Sequence, residues 1–137
     1  MSGPLVGIGA TLYNRAHYLP EALDSLLAQT YTGFRLILVD DGSTDDTERI
    51  AREYAARDSR VVYMRNPTRL GMVATWRRAF ELAAADSAVQ YFAWASDHDR
   101  WHPDWLATLV RVLDSDPEVV LAYPFTQRMS PDGARLS

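Results

Sequence analysis

Residues 34–43 read Phe-Arg-Leu-Ile-Leu-Val-Asp-Asp-Gly-Ser. The run Phe34–Val39 is apolar everywhere except Arg35, a β-rich composition that reads as a strand. It ends in two carboxylates, and Gly42-Ser43 makes a turn into the next segment. Beyond it, Ile50, Ala51, Tyr54 and Ala55 fall on one face of a helix, which Ser43 or Asp45 can cap. A buried strand that ends in acid and turns into a helix is the repeating unit of a parallel α/β sheet.

The same unit recurs on both sides. Upstream, Leu5–Leu12 reads as a strand, and Leu19, Ala22, Leu23, Leu26 and Leu27 are spaced for one helical face. Downstream, Val61–Met64 is a short strand broken by Asn66-Pro67. After Gly71, residues Val73, Trp76, Phe80, Ala83 and Ala84 predict the inner stripe of a third helix. Val89–Ala95 predicts a strand buried on both faces, running into Ser96-Asp97-His98-Asp99. Pro103 suits the first position of a fourth helix, with Trp105, Leu109, Val112 and Leu113 inward. Glu118–Tyr123 predicts a fifth strand, and Ser130–Gly133 a turn. Alternation of this kind implies a mostly parallel sheet with right-handed crossovers, in an α/β fold.

Composition narrows the function. A chain of 137 residues is one domain's length, and 47% apolar against 23% charged residues suits a globular core. There is no cysteine, which removes disulfides and thiolate metal sites and points to the cytoplasm. The Met-Ser-Gly-Pro start has no basic region followed by an apolar run, and no segment is long enough to span a membrane. The net charge of −4 argues against nucleic-acid binding. All fourteen basic residues are Arg, which suits bidentate contact with phosphate and excludes any lysine-dependent mechanism.

Ligands of open α/β sheets bind outside the carboxyl ends of the strands. Thr11-Leu12-Tyr13-Asn14, Asp40-Asp41-Gly42-Ser43 and Ser96-Asp97-His98-Asp99 all follow strands. A strand order of 3-2-1-4 would bring the three clusters to one crevice. Asp97 and Asp99 can hold a hard divalent cation, Mg²⁺ or Mn²⁺, with positions left open for diphosphate oxygens. Helix capping is the simpler alternative for so short a motif. A neutral His98 can ligate Mn²⁺ and suits Mg²⁺ poorly. Asp40 and Asp41 can accept hydrogen bonds from a base or ribose, or form only a turn. Thr11 and Tyr13 can contact a base by hydrogen bond and stacking, or pack within their loop. His102 reads as the start of a helix and His17 as surface. Trp94 and Trp105 read as core. Of Arg65, Arg69, Arg77 and Arg78, one can reach a phosphate, although a solvated face explains any single one of them.

The chain resembles the family 2 glycosyltransferases of the GT-A fold across nearly all of its length. The resemblance is carried by Thr11-Leu12-Tyr13-Asn14-Arg15, by Tyr18 to Thr30, by Val39-Asp40-Asp41-Gly42-Ser43-Thr44-Asp45-Asp46-Thr47, by Asn66-Pro67 with Leu70-Gly71, and by Trp101-His102-Pro103-Asp104-Trp105-Leu106. It implies a Rossmann-like three-layer αβα architecture, the nucleotide-binding half of that fold. It implies that Thr11 and Tyr13 flank the base, that Asp41 contacts it, and that Asp40 supports the loop or the ribose. The 96–99 loop would hold the ribose and a diphosphate-bound metal, with Asp97, His98 and Asp99 as the metal-binding set and Mn²⁺ or Mg²⁺ as the ion. The donor is expected to be a nucleoside-diphosphate sugar, most often UDP-linked, transferred with inversion. The chain departs from the family at Ser96 and His98, where carboxylates are common, and at Arg77, where Asn is common.

Inverting transfer needs a general base, which the family carries as an acidic residue beyond the fifth strand. The catalytic base is therefore expected beyond Ser137, the last residue of the sequence. The expectation is a donor-binding domain over residues 1–124 with an extension at 125–137, poorly active alone, and with a sheet edge that promotes self-association. The acceptor is not readable. Three other classes fit less well. Gly7-Ile8-Gly9 offers only part of a dinucleotide fingerprint, a phosphoacceptor receiver would need a lysine, and a nucleotidylyltransferase would need a basic glycine-rich loop. A non-catalytic nucleotide-sugar-binding module is the remaining alternative.

Overall fold

The computed structural model describes residues 3–137; Met1 and Ser2, the start of the Met-Ser-Gly-Pro terminus, lie outside the described residues. In chain order the elements are β1 (Leu5–Leu12), α1 (Leu19–Leu27), β2 (Phe34–Asp40), α2 (Thr47–Arg57), β3 (Val61–Arg65), α3 (Met72–Ala84), β4 (Val89–Ala95) and α4 (Trp105–Ser115). The strands form one parallel sheet in the order β3-β2-β1-β4, the order under which the three polar clusters converge. β1 pairs with β2 from Val6↔Phe34 to Leu12↔Asp40, and with β4 from Leu5↔Val89 to Ala10↔Ala95.

The strand periodicity of two splits the sheet into unequal faces. Val6, Ile8, Ala10 and Leu12 of β1, with Leu36 and Leu38 of β2, bury against α1, α2 and α4. Leu19, Leu23 and Leu26 fill this side from α1, Ala51 and Tyr54 from α2, and Trp105, Leu106 and Val110 from α4. Ile37 and Val39 point the other way and meet Ala79 and Ala83 of α3. The result is the three-layer αβα arrangement, with all four strands parallel.

Gly7 and Gly9 face α3 rather than a ligand. A Cβ built on Gly9 would lie 2.8 Å from Phe92 Cζ and 3.2 Å from Ala79 Cβ; one on Gly7 would lie 3.0 Å from Ala83 Cβ. The missing side chains therefore let α3 and the Phe92 ring settle on the sheet.

Several expectations are corrected. Glu118–Tyr123 does not form a strand; it has no pairing partner among the described residues. The outer edges of β3 and β4 are left unpaired by it, and the run stays exposed, with Val120 at 90% and Tyr123 at 82%. The inner face of α3 is Thr75, Ala79 and Ala83, whereas Val73, Trp76 and Phe80 are exposed. β4 is an edge strand covered only in part, so Trp94 is 44% exposed rather than core. Pro103 precedes α4, whose N-cap is Asp104, and Leu106 and Val110 are buried where Val112 is not. The turn at Ser130–Gly133 is present, closed by a bond from Gly133 N–H to Ser130 O at 2.8 Å.

The close approach at Gly9 gives a direct test. Gly9→Val should cost about 1–3 kcal/mol, because the added methyls must push α3 or Phe92 off the sheet. Urea unfolding of the variant should show a lower midpoint; an unchanged midpoint would contradict the packing.

Candidate functional site

The crevice lies where β1, β2 and β4 end side by side. At the end of β2, Asp40 is fully buried and belongs to the scaffold. Its Oδ1 accepts from Ser43 N–H at 2.9 Å, and its Oδ2 accepts from Tyr63 O–H at 2.8 Å and Arg65 Nη1 at 3.1 Å. Arg65 also reaches Glu48 at 3.3 Å, so the buried charge is paired. Burial, reinforced by the Asp40 carboxylate, pushes the Tyr63 phenol far up and keeps it a donor.

Asp41 is also buried, and it organises the loop that follows β3. Its Oδ1 accepts from Asn66 Nδ2 at 2.9 Å and Leu70 N–H at 2.7 Å; its Oδ2 accepts from Gly71 N–H at 2.9 Å. Burial alone would push this carboxyl up, but the bonds from Asn66, Leu70, Gly71 and Thr75 together outweigh it and hold the group below its ordinary value. Gly71 sits at φ 88°, in the left-handed region that glycine adopts without strain, and so turns its N–H onto Asp41 before α3 begins.

The β1 and β2 loops are latched to each other. Asn14 takes a left-handed conformation, φ 49°, which asparagine tolerates. Its Oδ1 accepts from Thr44 N–H at 2.8 Å, while its own N–H donates to Ser43 Oγ at 3.0 Å. Asp45 sits one residue before the N-cap of α2 and accepts from Thr47 N–H at 2.9 Å. The N-cap is therefore Asp46 rather than Ser43 or Asp45; Asp45 meets the first helical N–H from one residue earlier, and Ser43 turns to the β1 loop.

The β1 and β4 loops are joined by Asp97. This buried carboxylate accepts from Tyr13 N–H at 3.0 Å through Oδ2, and its Oδ1 pairs with His98 Nδ1 at 2.8 Å. Asp99 is exposed and accepts from Ser96 Oγ at 2.6 Å. No three His, Asp or Glu side chains among the described residues are placed to hold a metal ion. Asp97 and Asp99 thus share one loop but serve different partners.

Tyr13 and Thr11 complete the crevice wall. The Arg69 guanidinium lies 3.8 Å from the centroid of the Tyr13 ring, and its Nε is 3.8 Å from Asp41 Oδ2. Of the four arginines considered from sequence, Arg69 is the one over the crevice. Arg65 is tied to Asp40, Arg78 donates to Asn66, and Arg77 pairs with Glu81 on the helix surface. Thr11 Oγ1 accepts from Trp76 Nε1 at 2.9 Å. The parts played by Asn66, Trp76 and Asn14 were not read from the sequence. Asn66 carried the signal of a strand break and a place in the family resemblance, neither of which names its partners, and Trp76 was expected in the inner stripe of α3. His17 and His102 are exposed.

A second concavity, about 1370 Å³, opens between α4, the 98–105 segment and residues 121–131. His98 and Asp99 stand at its margin, but Thr11, Tyr13, Asp40, Asp41 and Asp97 do not line it. The nucleotide-contacting residues expected from the sequence therefore lie outside this hollow, whose lining includes Arg15, Glu21, His98 and Asp99. Ser137, beyond which the catalytic base is expected, is exposed and lines neither the crevice nor this hollow.

The model of glycosyl transferase family 2 matches residues 8–136, and the chain belongs to that family. An uncharacterized glycosyltransferase of Rickettsia prowazekii is 33% identical over 121 residues, covering 88% of this chain and 36% of that protein. The chain thus spans about a third of that relative's length. Among solved structures, Staphylococcus aureus TarS 1–349 in complex with UDP superposes with a TM-score of 0.71 at 23% identity, over 80% of this chain and 32% of that one. Mannosyltransferase PcManGT from Pyrobaculum calidifontis, in complex with GDP-Man and Mn²⁺, superposes with a TM-score of 0.72 at 24% identity, over 86% and 34%. The fold is that of the GT-A glycosyltransferases. Among the described residues no helix is long and apolar enough to cross a membrane.

The lowered pKa of Asp41 makes its stabilising role pH-dependent. Asp41→Asn would present an N–H₂ to backbone donors and should cost about 2–4 kcal/mol at neutral pH. The wild-type contribution is complete above the unfolded carboxyl value, about pH 4, and is lost as pH falls toward the lower folded value. Urea titrations at pH 7 and pH 3 should therefore show the gap between wild type and variant narrowing at low pH; a constant gap would contradict it.

Proposed function

We propose that this chain binds a nucleoside-diphosphate sugar, with UDP as the favoured nucleotide, at the ends of β1, β2 and β4, as the donor-binding part of an inverting glycosyltransferase. The observation that carries the reading is the convergence of Tyr13, Asp41 and Asp97 on one crevice, closed by the Tyr13 N–H to Asp97 bond. The Tyr13 ring offers a face for a base, over which Arg69 now lies. Asp41 Oδ2 has one strong donor, Gly71 N–H, and retains capacity to accept a base N–H. Thr11 supplies a hydroxyl, Asp40 holds the loop from beneath, and Asp97 can accept from a ribose hydroxyl.

A divalent ion fits the donor chemistry of the 96–99 loop when a diphosphate completes its shell. Asp99 is exposed, and its Oδ1 has no partner among the described residues. His98 keeps Nε2 free while Asp97 orients Nδ1, an arrangement suited to Mn²⁺. Asp99 and His98 Nε2 would thus hold the ion together with the diphosphate oxygens, with Asp97 orienting His98 from behind, and the ion would offset the charge of the departing diphosphate. The general base and the acceptor are not assigned to residues of this chain.

Calorimetric titration tests the reading. UDP should bind in the presence of Mn²⁺, and Asp99→Ala should weaken that binding about tenfold, the loss of one charged ligand. Failure of both UDP and GDP to bind, with or without Mn²⁺, would contradict it.

A further inference from the structure

The α3 stripe contains a tryptophan whose exposure core packing does not explain. Trp76 is 45% exposed, yet its ring stacks on Trp94 with centroids 5.4 Å apart and planes 29° apart. Trp94 in turn meets Phe92 edge-on at 4.7 Å, and Phe92 meets Phe80 edge-on at 5.0 Å. The row is anchored by Phe92, which lies where a Gly9 side chain would be. At its outer end, the Trp76 indole N–H reaches the Thr11 hydroxyl at 2.9 Å.

The chemistry of that bond has one polarity. An indole N–H can only donate, so Thr11 Oγ1 must accept. A hydroxyl has one proton, and this one is left free of Trp76. A hydroxyl that already accepts a hydrogen bond is also polarised as a donor. Trp76 therefore fixes the Thr11 rotor and leaves its proton to offer to the crevice. Through Trp94, which precedes Ser96 by two residues on the neighbouring strand, it also braces the end of β4 against that of β1.

We propose that Trp76 is a positioning residue for donor recognition: it holds Thr11 as a hydrogen-bond donor to an acceptor group of the nucleotide base. This rests on the reading of the crevice as a nucleotide site. Trp76 acts through Thr11 and need not touch the ligand.

The test is a double-mutant cycle read by calorimetry with UDP and Mn²⁺, or with GDP if that is the nucleotide bound. Trp76→Phe keeps an aromatic ring and removes the N–H; Thr11→Val keeps the shape and removes the hydroxyl. Each should lower affinity about fivefold, the loss of one net hydrogen bond, and the double variant should also lose about fivefold. Uridine or guanosine should lose the same factor as the diphosphate, and inorganic pyrophosphate should lose nothing. Thr11→Ser should keep wild-type affinity. A merely structural role would not move base and pyrophosphate binding differently. Unchanged affinity in Trp76→Phe, or losses that multiply to about twenty-five-fold in the double variant, would overturn the proposal and leave the nucleotide site standing. Should Trp76→Phe fail to fold, the Thr11→Val and Thr11→Ser pair still decides, because wild-type affinity in Thr11→Val overturns it. No binding of either nucleotide by the wild-type chain would overturn both readings together.

Discussion

The pairing of β1 along both edges is the constraint on which the rest depends. Its parallel register with β2 and with β4 brings three strand ends within reach of one another. Because parallel strands all finish on the same side, each loop leaves its strand facing the same crevice. The polar bonds between loops then follow from short distances: Asn14 to Thr44, Tyr13 to Asp97, and Asp41 to the 66–71 loop. None of these partners is local in sequence, and all are local in space once β1 is central.

The same side chains that shape the crevice hold it together. Asp40 and Asp97 are buried charges, which persist in a fold only when they are bonded. Asp40 is met by a backbone N–H, a phenol and a guanidinium; Asp97 is met by a backbone N–H and an imidazole. Asp41 goes further, since three donors fix the approach to α3 around it. A carboxylate used in this way is already oriented when a ligand arrives, and no ordering cost remains at that moment. Membership of glycosyl transferase family 2 and the shared GT-A fold fit this division, in which the sheet is scaffold and its loop ends carry the chemistry.

Much of the fold was legible because period-two and period-3.6 patterns are strong where burial is complete. The sheet order was approached from a different side: 3-2-1-4 is an order under which the polar clusters converge, and it is the order found. Where burial is partial the pattern misleads. Trp76 and Phe80 are apolar by composition, but their surfaces serve a row of rings at the sheet edge, and the small residues Thr75, Ala79 and Ala83 make the contact. Glu118–Tyr123 has the composition of a strand, yet it pairs with neither free edge of the sheet, and composition does not encode which edge a run meets. In the site, the residue types at the strand ends were readable, but their partners were not. Nothing local to Asn66, 25 positions away, says that its amide donates to Asp41.

The most direct measurement is a two-dimensional amide NMR map of the chain during addition of UDP with Mn²⁺, whose paramagnetic broadening also marks where the ion sits. The account predicts that the perturbed N–H signals cluster at residues 11–14, 41–43, 69–71 and 96–99, which are scattered in sequence and joined only by the sheet order. Perturbations confined to α4 and residues 121–131, around the second concavity, would contradict it.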